Sequence, residues 1–195
     1  RGSGPNGGAV LFCGDDPTAK SSTLPCDSQP TFEDACVPVL YPGDPQDVID
    51  LGVHAFRLSR QAGPWVGLKV VTTVADGLGT VDLDLDRHAP LTDLLVEVDG
   101  RPWRHQPQAT IGPHQIPDQE ALVVHHRLVA AQAYALAHGL DRIVGAGPGA
   151  ATGIVCAGKT YFDVIGAFAA LGVGVDDLAG LGVRAAGVGH AVVVL

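Results

Sequence analysis

The sequence predicts an α/β fold, consisting of part of a doubly wound parallel sheet followed by part of a second α/β unit. Two observations lead to this prediction. Short apolar runs of strand length alternate with segments that carry apolar residues at helical spacing, which is typical of parallel strands covered on both faces. The alternation occurs twice, in residues 1–76 and again in residues 121–195. We therefore expect two units, with residues 77–120 as a connector.

The first unit contains three predicted strands and one well-marked helix. The strands are the apolar runs at residues 9–13, 36–41 and 65–74. Between the last two, Asp44 is a suitable N-cap, Pro45 suits the first helical position and Gly63 ends the helix. Its apolar stripe includes Phe56 and Leu58. A strand, helix, strand order predicts that the two flanking strands pair in parallel.

The connector is predicted to contain β structure interrupted by prolines. Aspartates alternate with apolar residues over 81–86, which predicts a half-exposed strand. A hairpin is predicted to turn at Asp99 and Gly100, because both residue types favour the positive φ angles of a tight turn. Four prolines between residues 102 and 117 then break any long element.

The second unit repeats the α/β order. Helical spacing over residues 120–138 ends at Gly139, and a strand at 154–157, a helix at 160–171 and a strand at 183–188 follow. His125 and His126 are adjacent on the first of these helices. Side chains at neighbouring helical positions point about 100° apart, so the pair is poorly placed to share a metal ion. We expect His126 to face the core side, His125 to face solvent, and no metal site.

Composition excludes several functional classes. The formal charge is −9 and there are only three lysines, so we expect no nucleic-acid partner. No apolar run approaches the roughly 18–20 residues that span a bilayer, so we expect no membrane segment. The four cysteines show no C-x-x-C spacing, which argues against a disulfide scaffold or a complete metal or iron–sulfur site and favours a reducing cytoplasm. Cys13, Cys36 and Cys156 are expected to be buried packing residues.

A long polar stretch at residues 14–29 follows the first strand and is the candidate site. Open α/β sheets bind ligands at the carboxyl ends of their strands. The stretch has the spacing of a phosphate-binding P-loop, with an alanine in place of the second glycine. However, Asp15 and Asp16 would repel phosphate, and Pro25 and Pro30 interrupt the helix that a P-loop needs. We therefore expect a ligand site without nucleotide hydrolysis.

A second glycine-rich segment, residues 143–150, imitates the G-x-G-x-x-G turn of dinucleotide-binding folds. The residues that follow it are small and then apolar, like a strand. A pyrophosphate would therefore lack the helix N-terminus that normally holds it. We interpret the segment as a loop.

Four pieces of the chain resemble, in order, the large indolepyruvate ferredoxin oxidoreductases. They are GDDPTAKSSTLP, CVPVLYPGDPQDVIDLGVHAFRLSRQAGPWVGLKVVT, GIVCAGKTYFDVIGAF and LGVRAAGV. The resemblance implies that residues 1–76 are the C-terminal part of a thiamine-diphosphate pyrimidine-binding domain. Residues 121–195 would be the N-terminal part of a transketolase-C-like domain. We therefore expect an internal fragment, and the absence of methionine agrees with this.

The same resemblance implies the chemistry of the parent enzyme. Such a parent oxidatively decarboxylates arylpyruvates to acyl-CoA and passes electrons to ferredoxin. The implied cofactors are thiamine diphosphate with Mg²⁺ and iron–sulfur clusters, bound mostly by parts outside this chain. The implied partners are the 2-oxo acid, coenzyme A and ferredoxin, within an oligomer. The chain has no G-D-G motif and no cysteine cluster, and the family's activating glutamate lies upstream, so we expect it to be inactive alone.

The candidate pocket residues come from the polar stretch. Hydroxyl and ammonium groups there could donate hydrogen bonds where negative charge accumulates on a 2-oxo acid. Cys26 stands where relatives often have histidine, so we assign no catalytic residue. Lys69, on the third strand, is expected to matter only for folding. The candidate pocket residues are Lys20, Ser21, Ser22, Thr23 and Cys26.

Two alternatives remain open. Another 2-oxo acid ferredoxin oxidoreductase would share the loop, because substrate choice rests on pocket residues outside this chain. A noncatalytic α/β binding module could also retain the scaffold. A parent with a downstream G-D-G motif and cysteine clusters would favour an oxidoreductase, whereas a parent ending near residue 195 would favour the binding module.

Overall fold

A parallel three-stranded sheet forms the first part of the computed structural model, which describes residues 7–84, 96–107, 112–145, 152–178, 180 and 183–187. The strands are β1 (Val10–Asp15), β2 (Val39–Leu40) and β3 (Val66–Val71), in the spatial order β1, β3, β2. Both pairings are parallel. The predicted α/β class and the parallel pairing of the second and third strands are therefore confirmed.

Helices cover both faces of this sheet. They are α1 (Gln29–Asp34) and α2 (Pro45–Ala62), whereas the single turn α3 (Thr72–Ala75) directly follows β3. Phe32 of α1 packs on one face, since a Cβ atom at Gly67 would lie 3.0 Å from its ring. Leu68, the next residue of β3, belongs to the core that contains Leu58 of α2. Successive strand residues point to opposite faces, so α1 and α2 lie on opposite sides.

The ends of α2 agree with the sequence, but its buried face does not. The Asp44 carboxylate accepts a hydrogen bond from the Asp47 amide at 2.8 Å, and Gly63 ends the helix with φ +89°. The predicted stripe is wrong at Phe56, which is 44% exposed. The buried apolar residues of α2 recur every three or four positions instead. They are Leu51, Ala55, Leu58 and Ala62.

The predicted hairpin is confirmed. Strands β4 (Val96–Val98) and β5 (Arg101–Trp103) pair in antiparallel fashion, and Asp99 and Gly100 turn with φ +52° and +71°. The strand predicted at 81–86 is wrong over the described residues 81–84, and residues 85 and 86 lie outside the described part. The Gln46 side chain bonds the backbone N–H and carbonyl of Asp82 at 2.7 and 3.3 Å, which holds this segment against α2.

The predicted helix at 120–138 is confirmed as a longer, two-part helix. It consists of α4 (Ile116–Leu122) and α5 (Leu128–Ala137), joined by the π-helical turn Val123–Arg127. His125 is exposed and His126 half-buried, as expected. Helix α5 packs on α2, where the hydroxyl of buried Tyr134 lies 3.0 Å from Nδ1 of His54. None of the described helices is long and apolar enough to cross a membrane.

The second sheet is mixed. Strands β6 (Arg142–Val144), β7 (Thr152–Cys156) and β8 (Val183–Gly187) follow the order β6, β8, β7, and α6 (Lys159–Ala170) comes after β7. β7 and β8 are parallel, whereas β6 and β8 are antiparallel. The strands and helix predicted here are confirmed. Strand β6 overlaps the glycine-rich segment interpreted as a loop, and residues 146–150 of that segment lie outside the described part.

Candidate functional site: a polar loop on the carboxyl edge of the first sheet

A polar loop connects β1 to α1 at the carboxyl ends of β1 and β3. Strand β1 continues to Asp15, two residues beyond its predicted end, and Asp15 pairs in register with Val71 of β3. The loop therefore spans residues 16–28. Pro30 lies in the first turn of α1, where proline is tolerated. The loop lies at the edge of the sheet where ligands bind in open α/β folds.

The buried carboxylate of Asp16 organises the first half of the loop. It accepts hydrogen bonds from the backbone N–H groups of Lys20 at 2.9 Å, Ser21 at 2.7 Å and Ser22 at 2.8 Å. Ala19 adopts a left-handed φ of +51°, which turns the chain so that these donors converge. The Ser21 hydrogen bond, assisted by those of Lys20 and Ser22, holds the pKa of Asp16 well below its usual range despite burial. The loop is thus folded around its own anion.

Asp15 fixes the far end of the loop. Its buried carboxylate accepts hydrogen bonds from the backbone N–H and the hydroxyl of Ser28, at 3.0 and 2.8 Å. Its backbone carbonyl accepts a hydrogen bond from the hydroxyl of Thr72 at 3.1 Å. The end of β1, the end of the loop and the start of α3 are therefore joined through one residue.

A buried lysine from β3 reaches the same end of the loop. Lys69 is only 6% exposed, and its Nζ lies 2.5 Å from Oδ1 of Asp27 and 3.6 Å from Oδ2 of Asp15. Burial would raise the pKa of Asp27, but the hydrogen bond and charge of Lys69 and the Gln29 amide lower it overall. A buried ammonium group needs such compensation, because leaving water is costly for a charge. Lys69 thus ties the loop to the centre of the sheet.

The Lys69 ammonium also lies 5.0 Å from the centre of the Tyr41 ring. The same ring touches the turn before α6, because a Cβ atom at Gly158 would lie 2.5 Å from it. Nearby, a Cβ atom at Gly43 would lie 2.5 Å from the ring of Phe162. The first turn of α6 therefore lies beside the charged cluster formed by Lys69, Asp15 and Asp27. Burial raises the pKa of Tyr41, although the charge of Lys69 opposes this.

The five pocket residues predicted from sequence all lie in this loop and all are exposed. The Lys20 ammonium is 3.9 Å from a carboxylate oxygen of Asp76 on the surface. The Cys26 thiol accepts a hydrogen bond from the Asp16 amide at 3.2 Å. The structure brings these residues into one loop, and their assignment to a pocket stays a prediction. The Ser21 hydroxyl also donates a hydrogen bond to Asp16, at 3.4 Å, so of the five residues Lys20 and Thr23 carry the polar side chains with the least involvement in the loop itself.

The sequence reasoning missed the charged residues beneath the loop. The sequence analysis predicts that Asp15 and Asp16 repel phosphate and that Lys69 serves folding alone, and it predicts no role for Asp27. One signal could have found them: a lysine inside the apolar run of residues 65–74 must meet a counter-charge if the strand is buried. The polar segment nearest to this lysine is the loop that follows β1, the parallel neighbour of its strand.

The described cysteines do not assemble into a cluster. Cys26 is exposed and Cys156 buried, and the prediction of burial is wrong for Cys13 and Cys36, which are half-buried. Cys36 lies in a turn with φ +52°, because β2 begins three residues later than predicted. Within the described ranges, no three or more His, Cys, Asp or Glu side chains are grouped so as to hold a metal ion.

The described part of the chain is an α/β protein with a polar loop at the carboxyl ends of parallel strands. Its sequence is 29% identical over 174 residues to indolepyruvate oxidoreductase subunit IorA of Methanothermobacter thermautotrophicus, covering 87% of this chain and 26% of that protein. It is 33% identical over 88 residues to the subunit of the same name from Methanothermobacter marburgensis, covering 45% of this chain and 14% of that protein. No family model matches the chain.

These two comparisons confirm the resemblance to the indolepyruvate oxidoreductase family. The chain spans about a quarter of the length of the first relative. The comparisons therefore support a relationship at the level of the family.

Proposed function

We propose that this chain is part of a thiamine-diphosphate-dependent indolepyruvate:ferredoxin oxidoreductase, and that its 16–28 loop contributes to the 2-oxo acid pocket. The relationship to IorA subunits supports an oxidoreductase parent. The observation that carries the site is that the loop presents exposed hydroxyl and ammonium groups on a backbone fixed by Asp16.

The outward side chains suit the carboxylate of a 2-oxo acid. The Lys20 side chain, 53% exposed, can neutralise its charge, and the hydroxyl of the exposed residue Thr23 can donate a hydrogen bond to it. The hydroxyl of Ser22, which bonds Asp16 in this structure, can donate to the substrate once it leaves that carboxylate. These donors would hold the substrate in one orientation. Thiamine diphosphate, when bound, supplies the nucleophilic carbon and the electron sink for decarboxylation.

The loop is less suited to the diphosphate of that cofactor. The amides of Lys20, Ser21 and Ser22 already donate to Asp16, so they are not available to phosphate oxygens. The scattered cysteines of the described part do not fit an iron–sulfur cluster. We therefore assign the diphosphate, its Mg²⁺ and the clusters to other parts of the complete enzyme. We also propose that this enzyme is a cytoplasmic oligomer that uses coenzyme A and ferredoxin.

Substitutions of the loop test this function. In the complete enzyme, Lys20→Ala, Ser22→Ala and Thr23→Ala should each lower indolepyruvate-dependent ferredoxin reduction, by roughly a hundredfold where a donor acts on developing charge. The matched control is Arg60→Ala, which removes an exposed cation from α2. Unchanged turnover in all three loop variants would refute the assignment of the loop.

A second test addresses the division of labour between this chain and the rest of the enzyme. The isolated 195-residue chain should bind thiamine diphosphate weakly or not at all. Micromolar, Mg²⁺-dependent binding by calorimetry would refute that division.

Another 2-oxo acid is the main alternative substrate. The donors of the loop would recognise the carboxylate that all 2-oxo acids share, rather than the side chain that distinguishes them. Comparing kcat/KM for indolepyruvate, phenylpyruvate and pyruvate in the complete enzyme would separate these substrates. Preference for pyruvate would replace the arylpyruvate assignment, and absence of any turnover would favour the noncatalytic binding module.

A further inference from the structure

We propose that Lys69 is a positioning residue for the 16–28 loop, which it holds in its binding arrangement through Asp27. For the reaction itself, this inference rests on the proposed function. For the loop, it rests on the contacts alone. Lys69 lies in β3, far from the loop in sequence, and reaches Asp27 at 2.5 Å.

The loop is held at three places, one of which is an antiparallel bridge in which the Cys26 amide donates to the Asp16 carbonyl at 3.1 Å. Asp16 gathers the amides of residues 20–22 at the start of the loop. Lys69 with Asp27, and Asp15 with Ser28, fix its end. The proposed donor side chains belong to residues 20–23, whose backbone is held by Asp16 or lies one residue beyond that part. Only residues 24–26 separate them from Asp27, which Lys69 holds. Releasing the end of the loop would leave the donors held by Asp16 and its bridge to Cys26 alone, and we expect them to move relative to the sheet.

The chemistry of Lys69 argues for positioning rather than for stability alone. Its side chain is 7% exposed, whereas that of its partner Asp27 is 50% exposed. The cost of taking the ammonium out of water offsets much of the gain from the ion pair, so the pair is weak evidence for added stability. Without Asp27 the buried ammonium would keep only Asp15, at 3.6 Å, and would lose its closest counter-charge, so loop arrangements that move Asp27 away are disfavoured. Lys69 thus makes one arrangement of the loop strongly preferred.

Cys13 reports on the contact between Lys69 and Asp27. It is the register partner of Lys69 on β1, and the side chain of Ser28 hydrogen-bonds to it. The thiol is half-buried at the base of the loop. If the end of the loop is released, Cys13 becomes accessible to alkylating reagents. Buried Cys156, in β7, reports on general unfolding instead.

The experiment compares Lys69→Met and Asp27→Asn with wild type in the complete enzyme. Asp34→Asn, which removes an exposed carboxylate from α1, is the matched control. Alkylation by iodoacetamide is followed at each cysteine by peptide-resolved mass spectrometry. We expect both variants to label Cys13 about tenfold faster through local opening, with Cys156 unchanged, and the control to match wild type. We expect kcat/KM for the 2-oxo acid to fall about tenfold in both variants.

Each possible result of this experiment either supports or overturns the positioning role of Lys69. Equal acceleration at Cys13 and Cys156 would show a merely structural role and overturn the inference, as would unchanged labelling of Cys13. Faster labelling of Cys13 alone with unchanged kinetics would confirm that Lys69 positions the loop and refute the proposed function of the loop. If Lys69→Met does not fold, Asp27→Asn carries the test, because its side chain is half exposed.

Discussion

Gly158, at the turn before α6, lies directly against the ring of Tyr41, and a Cβ atom at Gly158 would stand 2.5 Å from two of the ring carbons. Gly158 also has φ +51°, which a residue with a side chain adopts at a cost. Tyr41 in turn lies beside the Lys69 ammonium. The turn before α6 and the charged cluster therefore share one aromatic ring.

Replacing this glycine should destabilise the protein. Gly158→Ala combines backbone strain with a clash against Tyr41, and we expect a loss of about 1–3 kcal/mol in the free energy of unfolding. Gly166→Ala is the matched control, since Gly166 lies inside α6 with open space around its Cβ position. It should gain about 0.5–1 kcal/mol from helix propensity. Urea unfolding followed by tryptophan fluorescence measures both, and equal effects would contradict the packing described.

The Asp16 carboxylate should govern acid stability. The pKa of Asp16 is lower in the folded protein than the value of about 3.9 expected in the unfolded chain. The contribution of the carboxylate to the free energy of unfolding is therefore fully present above about pH 3.9. The contribution is lost as pH falls through the depressed folded pKa. Asp16→Asn should therefore be less stable at pH 7 and should show a shallower loss of stability below about pH 4. Urea midpoints between pH 2 and 7 test this, and an unchanged profile would show that the loop does not depend on the anion.

The hydroxyl of Tyr134 should contribute to the packing of α5 on α2. Tyr134 is 1% exposed, and its hydroxyl lies 3.0 Å from Nδ1 of His54. Tyr134→Phe removes this hydrogen bond inside the core, and we expect a loss of about 1–3 kcal/mol. Leu136→Ala, at a position of α5 that is 79% exposed, should change stability by less than about 0.5 kcal/mol. Denaturant unfolding at pH 8 compares the two variants, and equal losses would argue against a role for the hydroxyl.

Stability should also fall in mild acid because of two half-buried histidines, His105 and His138. Burial lowers the pKa of His138 and of His105, assisted by the nearby charges of Arg57 and Arg127 respectively. The unfolded chain, with histidine pKa values of about 6.5, then binds more protons, so stability is complete above that pH and falls as the pH drops below it. His138→Gln should reduce the loss between about pH 7 and pH 5. Thermal unfolding across this range would contradict the prediction if the variant and wild type had parallel profiles.

Much of the fold follows from local signals in the sequence. Asp44, Pro45 and Gly63 mark the ends of α2, and Asp99 with Gly100 marks the hairpin, because caps and tight turns depend on a few neighbouring residues. The buried face of α2 was less predictable. Phe56 is more apolar than Ala55, yet Ala55 is buried, because the close packing of α2 on the sheet favours a small residue.

The location of the candidate site could be predicted from the sequence, but the contacts that hold its loop could not. The polar composition of residues 14–29 and their position after an apolar strand indicated the correct edge of the sheet. The pairing of Lys69 with Asp27 joins residues 42 positions apart. A lysine inside an apolar strand indicates that a counter-charge is needed, but nothing local to either residue indicates that Asp27 supplies it. Such a contact depends on the register of β1 against β3, which tertiary packing sets. The same dependence explains why β6, a three-residue strand, was missed.

The anion nest of the loop has a consequence for what it can bind. Its three amides converge on a negative group as the amides of a phosphate-binding turn do, but the occupant is Asp16, only four to six residues away in the same chain. Because Asp16 belongs to the same chain, its carboxylate competes for these amides at an effective concentration on the order of millimolar or above. Free phosphate would have to displace this carboxylate in order to bind. The spacing that imitates a nucleotide-binding sequence thus encodes a turn that supplies its own ligand.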